Sequence, residues 1–163
     1  MDEKTRRIMF SSDSDEWATP DDFFAYCEER FGKFDLDPCA SDENHKCDNY
    51  YTIEDDGLSK EWHGKVFVNP PYSQMETWIK KAYEESRRSD TIVYFLCPAR
   101  TDTKWFHNFA LKAKELYFIK GRLKFKRPDK DKAVGAPFPS MLIRFDYAFG
   151  IPKIYALDWR KKK

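Results

Sequence analysis

Apolar residues fall along this chain in two rhythms, short unbroken runs and a spacing near 3.6, and their alternation predicts strands separated by helices. Val66-Phe67-Val68 and Thr91-Ile92-Val93-Tyr94-Phe95-Leu96 are continuous runs of β-formers, as strands covered on both faces require. Glu115–Ile119, Ser140–Phe145 and Ile154–Leu157 predict further strands, and Phe34-Asp35-Leu36-Asp37 a short one broken by Pro38. Helical spacing runs through Phe23, Phe24, Cys27 and Phe31 and stops near Gly32. Thr19-Pro20-Asp21-Asp22 predicts its start, since Thr can cap, Pro suits the first turn and acids favour the positive end of the dipole. Ser73 with Glu76 reads as a capping box for a helix to about Arg88, and another helix is expected over about Thr103 to Lys112.

Two stretches lack either rhythm. Residues 1–16 are polar and charged, which predicts a frayed arm, with a single domain over 17–163. From Pro38 to about Gly64 the chain is irregular and acidic but holds Tyr50, Tyr51 and Trp62, and a loop of that length with aromatic residues points to function. The alternation as a whole predicts an α/β fold with a mostly parallel sheet and an antiparallel edge where the last strands follow one another without helices. In such sheets ligands bind beyond the carboxyl ends of the strands. Asp37, Asn69 and Cys97-Pro98 all fall at strand exits, which makes them neighbours in one crevice.

An apolar share of 41% and an aromatic share of 17% exclude a disordered chain. The 29 Lys and Arg nearly balance the 28 Asp and Glu, so net charge is silent about a polyanionic partner. Their distribution is not: acids crowd Asp13–Glu16 and Glu54–Asp56, whereas bases gather in Lys120–Lys132 and Arg160–Lys163, which fits one cationic face. In the segment from Arg122 to Arg127, the basic Arg122, Lys124 and Lys126 interleave with Leu123 and Phe125, so a strand or hairpin arm would put bases on one side and apolar groups on the other. The four cysteines form no CxxC pair, and neither a secretory leader nor a membrane-length apolar run is present, which predicts a reducing, cytosolic setting. Cys39, His45 and Cys47 match no common zinc module, so no metal is expected.

The chemistry concentrates where the strand Val66–Val68 runs into Asn69-Pro70-Pro71-Tyr72. Acceptors on the Asn69 side chain and the Pro70 carbonyl would suit the two hydrogens of an aromatic amine, freeing its lone pair for attack on a sulfonium methyl. The prolines fix the turn and add no competing donors, and Tyr72 offers a flat face for a base.

Together with Trp17-Ala18-Thr19-Pro20, Asp35-Leu36-Asp37-Pro38-Cys39-Ala40-Ser41, Cys97-Pro98-Ala99-Arg100-Thr101-Asp102-Thr103, Gly121-Arg122-Leu123-Lys124-Phe125 and Phe138-Pro139-Ser140, this motif makes the chain resemble the small phage-type N6-adenine DNA methyltransferases. The resemblance implies a class I, Rossmann-like sheet with reduced N-terminal elements, S-adenosylmethionine as cofactor, double-stranded DNA as partner with the target adenine flipped out, and the host cytoplasm as setting. It assigns Asn69, Pro70, Pro71 and Tyr72 to catalysis. Asp37 with Pro38, Thr19 with Pro20, and Asp55 or Asp56 before Gly57-Leu58 fall to the cofactor, and Arg100, Arg122, Lys124, Lys126 and Arg127 to DNA. No GxGxxG loop is present, so Asp37 fits either of two acidic cofactor positions. Methylation of RNA adenine or protein glutamine, and a non-catalytic nucleic-acid binder, are the rival readings of the same motif.

Overall fold

Strands apolar on both sides need cover on both faces, and the chain supplies it with helices on one side and a helix plus a small hairpin on the other. The computed structural model describes residues 17–126, 131–148 and 150–160; the arm expected over 1–16, and Arg127, lie outside them. The elements in order are α1 (Asp21–Phe31), β1 (Gly64–Val68), a 3-10 turn (Tyr72–Gln74), α2 (Met75–Glu85), β2 (Thr91–Pro98) and α3 (Lys104–Asn108). A second 3-10 turn (Ala110–Lys112), β3 (Glu115–Ile119), β4 (Lys124–Phe125), β5 (Val134–Gly135), β6 (Ser140–Phe145) and β7 (Lys153–Leu157) follow.

The main sheet has the order β1-β2-β6-β3-β7. β1 with β2 and β3 with β7 are parallel, while β6 is antiparallel to both its neighbours, so four of five strands run one way. The mostly parallel sheet is as expected, but the antiparallel edge is not. β6 lies inside the sheet because the Ala99 N–H donates to the Pro139 carbonyl (2.8 Å), which starts β6 at the exit of β2 and leaves it only the return direction.

Beyond β1 the sheet continues in a rudimentary form. Residues 34–37 run alongside β1, with Asp35 N–H donating to Lys65 O (2.7 Å) and Phe67 N–H to Leu36 O (3.0 Å). On their other side Tyr51 N–H donates to Asp37 O (3.0 Å). From this first strand the chain thus goes outward to Tyr50 and then back across to β1, so the two following strands flank it on opposite sides. That reversal is where α/β sheets open a ligand crevice.

Side chains alternate between the two faces as strand geometry dictates. Val66, Val68, Phe95 and Ile143 pack with Trp78 and Ile79 of α2 and Phe106 of α3. Phe67, Tyr94, Leu96 and Leu142 pack with Phe23, Phe24 and Cys27 of α1 and with Leu123 and Phe125 of the β4–β5 hairpin.

Two of the three helix starts differ from expectation. Pro20 is the N-cap of α1 and Thr19 does not cap it; Asp22 Oδ1 instead accepts from the Phe23 N–H (2.9 Å). The Ser73–Glu76 box does not form, because Pro71 stays extended and the next residues wind as a 3-10 turn closed by Gln74 N–H to Pro71 O (3.1 Å), which moves the α2 start to Met75. Thr103 does cap α3, its Oγ1 accepting from Phe106 N–H at 3.3 Å.

The irregular loop before β1 is tied to α2 through Glu85, which is buried. Its carboxylate accepts from the Trp62 N–H (2.9 Å), from Lys81 Nζ and from Arg88. Removing a buried carboxylate that satisfies these donors leaves charge and N–H uncompensated. Glu85→Ala is expected to lower unfolding free energy by about 3 kcal/mol, read as an earlier urea midpoint with an unchanged slope.

Candidate active site

A residue before proline is held extended, and Asn69 precedes two, so it continues the alternation of β1 onto the face of Phe67. There it meets the segment that enters α1. Asn69 Nδ2 donates to the Trp17 carbonyl at 2.6 Å and to Thr19 Oγ1 at 2.9 Å. A carbonyl only accepts, so the amide is fixed with its nitrogen toward Trp17 and its oxygen away. Asn69 Oδ1 is consequently buried with no hydrogen-bond partner. Next to it, the Pro71 carbonyl is used by Gln74, whereas no donor among the described residues reaches the carbonyl of Pro70.

An aromatic cage stands beside these acceptors. Tyr72 stacks on Trp17 with centroids 6.2 Å apart and planes at 21°, and Phe138 sets its edge against Tyr72 at 5.1 Å and lies 5.9 Å from Trp17. Phe125 of β4 backs Trp17 at 5.8 Å. Burial pushes the Tyr72 phenol far above its ordinary value, so it serves as a ring and not as a base.

A cavity of about 410 Å³ opens at the carboxyl ends of the parallel strands, and Thr19, Asp37, Pro38, Asp56, Asn69 and Pro71 all line it. Asp37 is buried; its Oδ1 accepts from Cys39 N–H (3.3 Å) and its Oδ2 from Lys46 N–H (2.9 Å). Burial raises its pKa to about 6, against the lowering pull of those two N–H groups. The carboxylate thus fixes the turn after the first strand while its residue faces the cavity. Lys46 is held in turn by Asp21 of α1 (2.6 Å). His45 takes no part in the site: it stacks on Tyr50 at 4.0 Å with its Nδ1 2.8 Å from the Cys47 carbonyl.

The two acids of the loop separate. Asp55 is turned to its own loop, accepting from Thr52 N–H (2.8 Å) and Thr52 Oγ1 (3.0 Å), and is not part of the lining. Asp56 lines the cavity, and among the described non-glycine residues it alone has a positive φ, 56°, a conformation that Asp tolerates better than most. Apolar wall comes from Trp78, Leu58 and Ile53, the last 82% exposed at the rim.

Other expected residues stand apart from this lining. Pro20 borders a separate recess of about 620 Å³ with Lys124, Lys126 and Trp159. Pro70 is buried, and Tyr72 reaches the site through Trp17. Arg122, Lys124 and Lys126 are exposed while Leu123 and Phe125 are buried, so the expected two-sided arm exists, built as the β4–β5 hairpin. It is joined to the site by the Ala18 N–H, which donates to Lys126 O at 3.0 Å. Arg100 is exposed just beyond the exit of β2.

Trp17, Lys46, Gly57, Trp62 and Phe138 belong to the site's construction without having been assigned to it from sequence. The clearest is Gly57. Its carbonyl accepts from Trp62 Nε1 (2.9 Å), and a Cβ there would lie 2.0 Å from the Pro38 carbonyl oxygen and 3.4 Å from the Trp78 ring.

The family model described as DNA N-6-adenine-methyltransferase (Dam) matches residues 8–157, and the chain belongs to that family. It is 41% identical over 112 residues to the DNA N-6-adenine-methyltransferase of Escherichia phage T1, covering 67% of this chain and 46% of the relative. It is 38% identical over 117 residues to the protein of the same name from Haemophilus phage HP1, covering 71% and 68%. The chain thus spans about half the length of the first relative and two thirds of the second.

The Gly57 contact has a direct consequence for stability. Gly57→Ala must push two main-chain segments of the cavity wall apart, and is expected to cost roughly 1–3 kcal/mol, the range for forcing extra atoms into packed structure. Thermal or urea unfolding measures it, and Gly135→Ala, where a Cβ would meet nothing within 4 Å, is the matched control.

Proposed function

We propose that this chain transfers a methyl group from S-adenosylmethionine to the N6 amine of an adenine extruded from double-stranded DNA. The observation that carries the reading is the Asn69 side chain, held by its nitrogen so that a buried Oδ1 is left without a donor. Family membership and the phage relatives' names support DNA adenine as the substrate.

The amino nitrogen of adenine is a poor nucleophile because its lone pair is delocalised into the ring. Asn69 Oδ1 and the Pro70 carbonyl each take one N6 hydrogen, which favours the pyramidal nitrogen and frees the lone pair. These bonds strengthen as N6 gains positive charge, so they lower the barrier more than they favour binding. No base has to act before the attack; once N6 carries the methyl and a positive charge, one of its two hydrogens leaves as a proton to solvent and the amine is neutral again. Tyr72, with Trp17 and Phe138, gives the extruded base a ring surface to exchange for its lost stacking. Pro70 and Pro71 keep the acceptors from moving.

The cavity fits the cofactor in size and chemistry. About 410 Å³ lies within the ordinary range for small-molecule sites, ~300–1,000 Å³. Its walls join apolar surface from Trp78, Leu58 and Ile53 to the carboxylates of Asp37 and Asp56, matching an adenine ring on one side and hydroxyl or ammonium groups on the other. Bound there, S-adenosylmethionine supplies an electrophilic methyl on sulfonium. Pro38 completes the wall, and Thr19 borders it with its hydroxyl engaged by Asn69. Asp56, not Asp55, is the acid of the loop available to the cofactor.

Residues 17–163 are read as one class I, Rossmann-like domain, and the strand reversal at residues 34–37 supports that assignment. Arg100, Arg122, Lys124 and Lys126 are read as phosphate contacts from the exposed side of the hairpin and the β2 exit, with Arg127 assigned alongside them from the sequence. The setting is the cytoplasm, where DNA is reached; no helix among the described residues is long and apolar enough to cross a membrane.

Incubation with unmethylated DNA and labelled cofactor, followed by nucleoside analysis, tests the reading; N6-methyladenine is the expected product, and label on RNA or protein alone would overturn it. In single turnover with saturating cofactor, Asn69→Ala is expected to slow transfer on the order of a hundredfold, with cofactor affinity retained.

The raised pKa of Asp37 gives a pH signature with a defined sign. Its folded value near 6 lies above the ordinary carboxylate value, so this group's contribution favours folding at low pH and is lost as pH rises through about 6. Cofactor binding needs the ionised form and has the opposite sign. Affinity, followed by calorimetry, is expected to fall as pH drops through about 6, and Asp37→Asn to bind weakly and without that step.

A further inference from the structure

We infer that Thr19 is a positioning residue for the reaction, acting through Asn69 and not through the cofactor. The inference rests on the function proposed above and assigns Thr19 a different part in it from cofactor binding. Three observations carry it. Thr19 is 3% exposed, and its hydroxyl oxygen accepts from Asn69 Nδ2 at 2.9 Å. The residue is not spent on capping α1, whose N-cap is Pro20 and has no side-chain cap bond. The Trp17 carbonyl takes the other Nδ2 hydrogen at 2.6 Å, so between them the two groups satisfy both donors of the amide.

A primary amide has two donors on one end and an acceptor on the other, and a half-turn about its last bond exchanges them. Inverting Asn69 would set its oxygen against the Trp17 carbonyl and the Thr19 oxygen. With both hydrogens held, the oxygen stays turned away from Trp17 and Thr19 and keeps its lone pairs for a donor. The same segment is anchored on two further sides. Trp17 is stacked on Tyr72, and Ala18 is paired with Lys126 of the basic hairpin. Thr19 thereby links the orientation of the acceptor to a short strap that touches both the base cage and the hairpin.

Thr19→Val keeps shape and removes the acceptor; Thr19→Ser keeps the hydroxyl. In single-turnover methylation of DNA at saturating cofactor, Thr19→Val is expected to slow transfer roughly ten- to a hundredfold, with cofactor affinity close to the parent's and with Thr19→Ser near parental rate. Exchange of the Asn69 side-chain amide protons, assigned by their loss in Asn69→Ala, reads the orientation without any turnover: one of the two is expected to exchange faster in Thr19→Val and not in Thr19→Ser. Should Thr19→Val fail to fold, Thr19→Ala is measured in its place. Weakened cofactor binding with an unchanged rate at saturation would make Thr19 a cofactor contact and overturn the inference, as would unchanged amide exchange. A parental chain that forms no N6-methyladenine overturns the proposed function instead, and amide exchange still reports whether Thr19 holds Asn69.

Discussion

The two hydrogen bonds from the Asn69 amide nitrogen to Trp17 and Thr19 set the terms for the rest of the site. They use up the donors of the side chain, so its oxygen is left alone in a buried place. A buried acceptor without a partner costs roughly 1–3 kcal/mol, and under the proposed function the substrate amine is what relieves it. Everything adjacent follows from keeping the oxygen in place. The prolines hold Asn69 extended, β1 is gripped between β2 and the strand of residues 34–37, and the Trp17–Thr19 strap is wedged by stacked rings.

The cavity wall obeys a different constraint. More than twenty residues without regular structure have to stand still, and Trp62 is one of their main anchors. Its indole donates to Gly57 O, its N–H to Glu85, and its carbonyl accepts from Thr91 Oγ1 at 2.9 Å, so a fully buried residue has its polar atoms satisfied from three separate elements. Close approach of Gly57 to Pro38 then joins the two sides of the wall. Side-chain bonds to the sheet and α2 thus add to the loop's own main-chain bonds, such as Ala40 N–H to Tyr51 O (3.0 Å) and Asp56 N–H to Thr52 O (3.2 Å).

How much of this was legible in the sequence follows from the range of the interactions. The strands and α1 were readable because periodicity is local, and Asn69-Pro70-Pro71-Tyr72 because contiguous residues carry its chemistry. The Ser73–Glu76 box failed although its spacing was right, since two prolines upstream delayed the helix by a 3-10 turn. The place of β6 was not readable: nothing in its composition says that it enters between β2 and β3. Thr19 looked like a cap because it stood before Pro20, while its partner lay fifty residues away. Trp17 holds Asn69 through a main-chain carbonyl, and that contact leaves no mark on residue type. Gly57 did leave a signal, a lone glycine beside acids in an aromatic loop, but its meaning depends on Pro38 arriving opposite.

The turn after the first strand is closed without a glycine-rich loop. In glycine-rich sites, free main-chain N–H groups and close backbone approach do the binding. In this chain two of the N–H groups after the first strand, those of Cys39 and Lys46, are already given to Asp37. The carboxylate closes the turn from inside, so the loop needs no glycine to be tight. But a side chain that is both structural clamp and cavity wall has to be buried, and burial is what lifts its pKa toward 6. The same carboxylate is therefore easier to protonate than an ordinary surface carboxylate, and the bonds that close this turn and the charge of this cavity rest on one ionisable group.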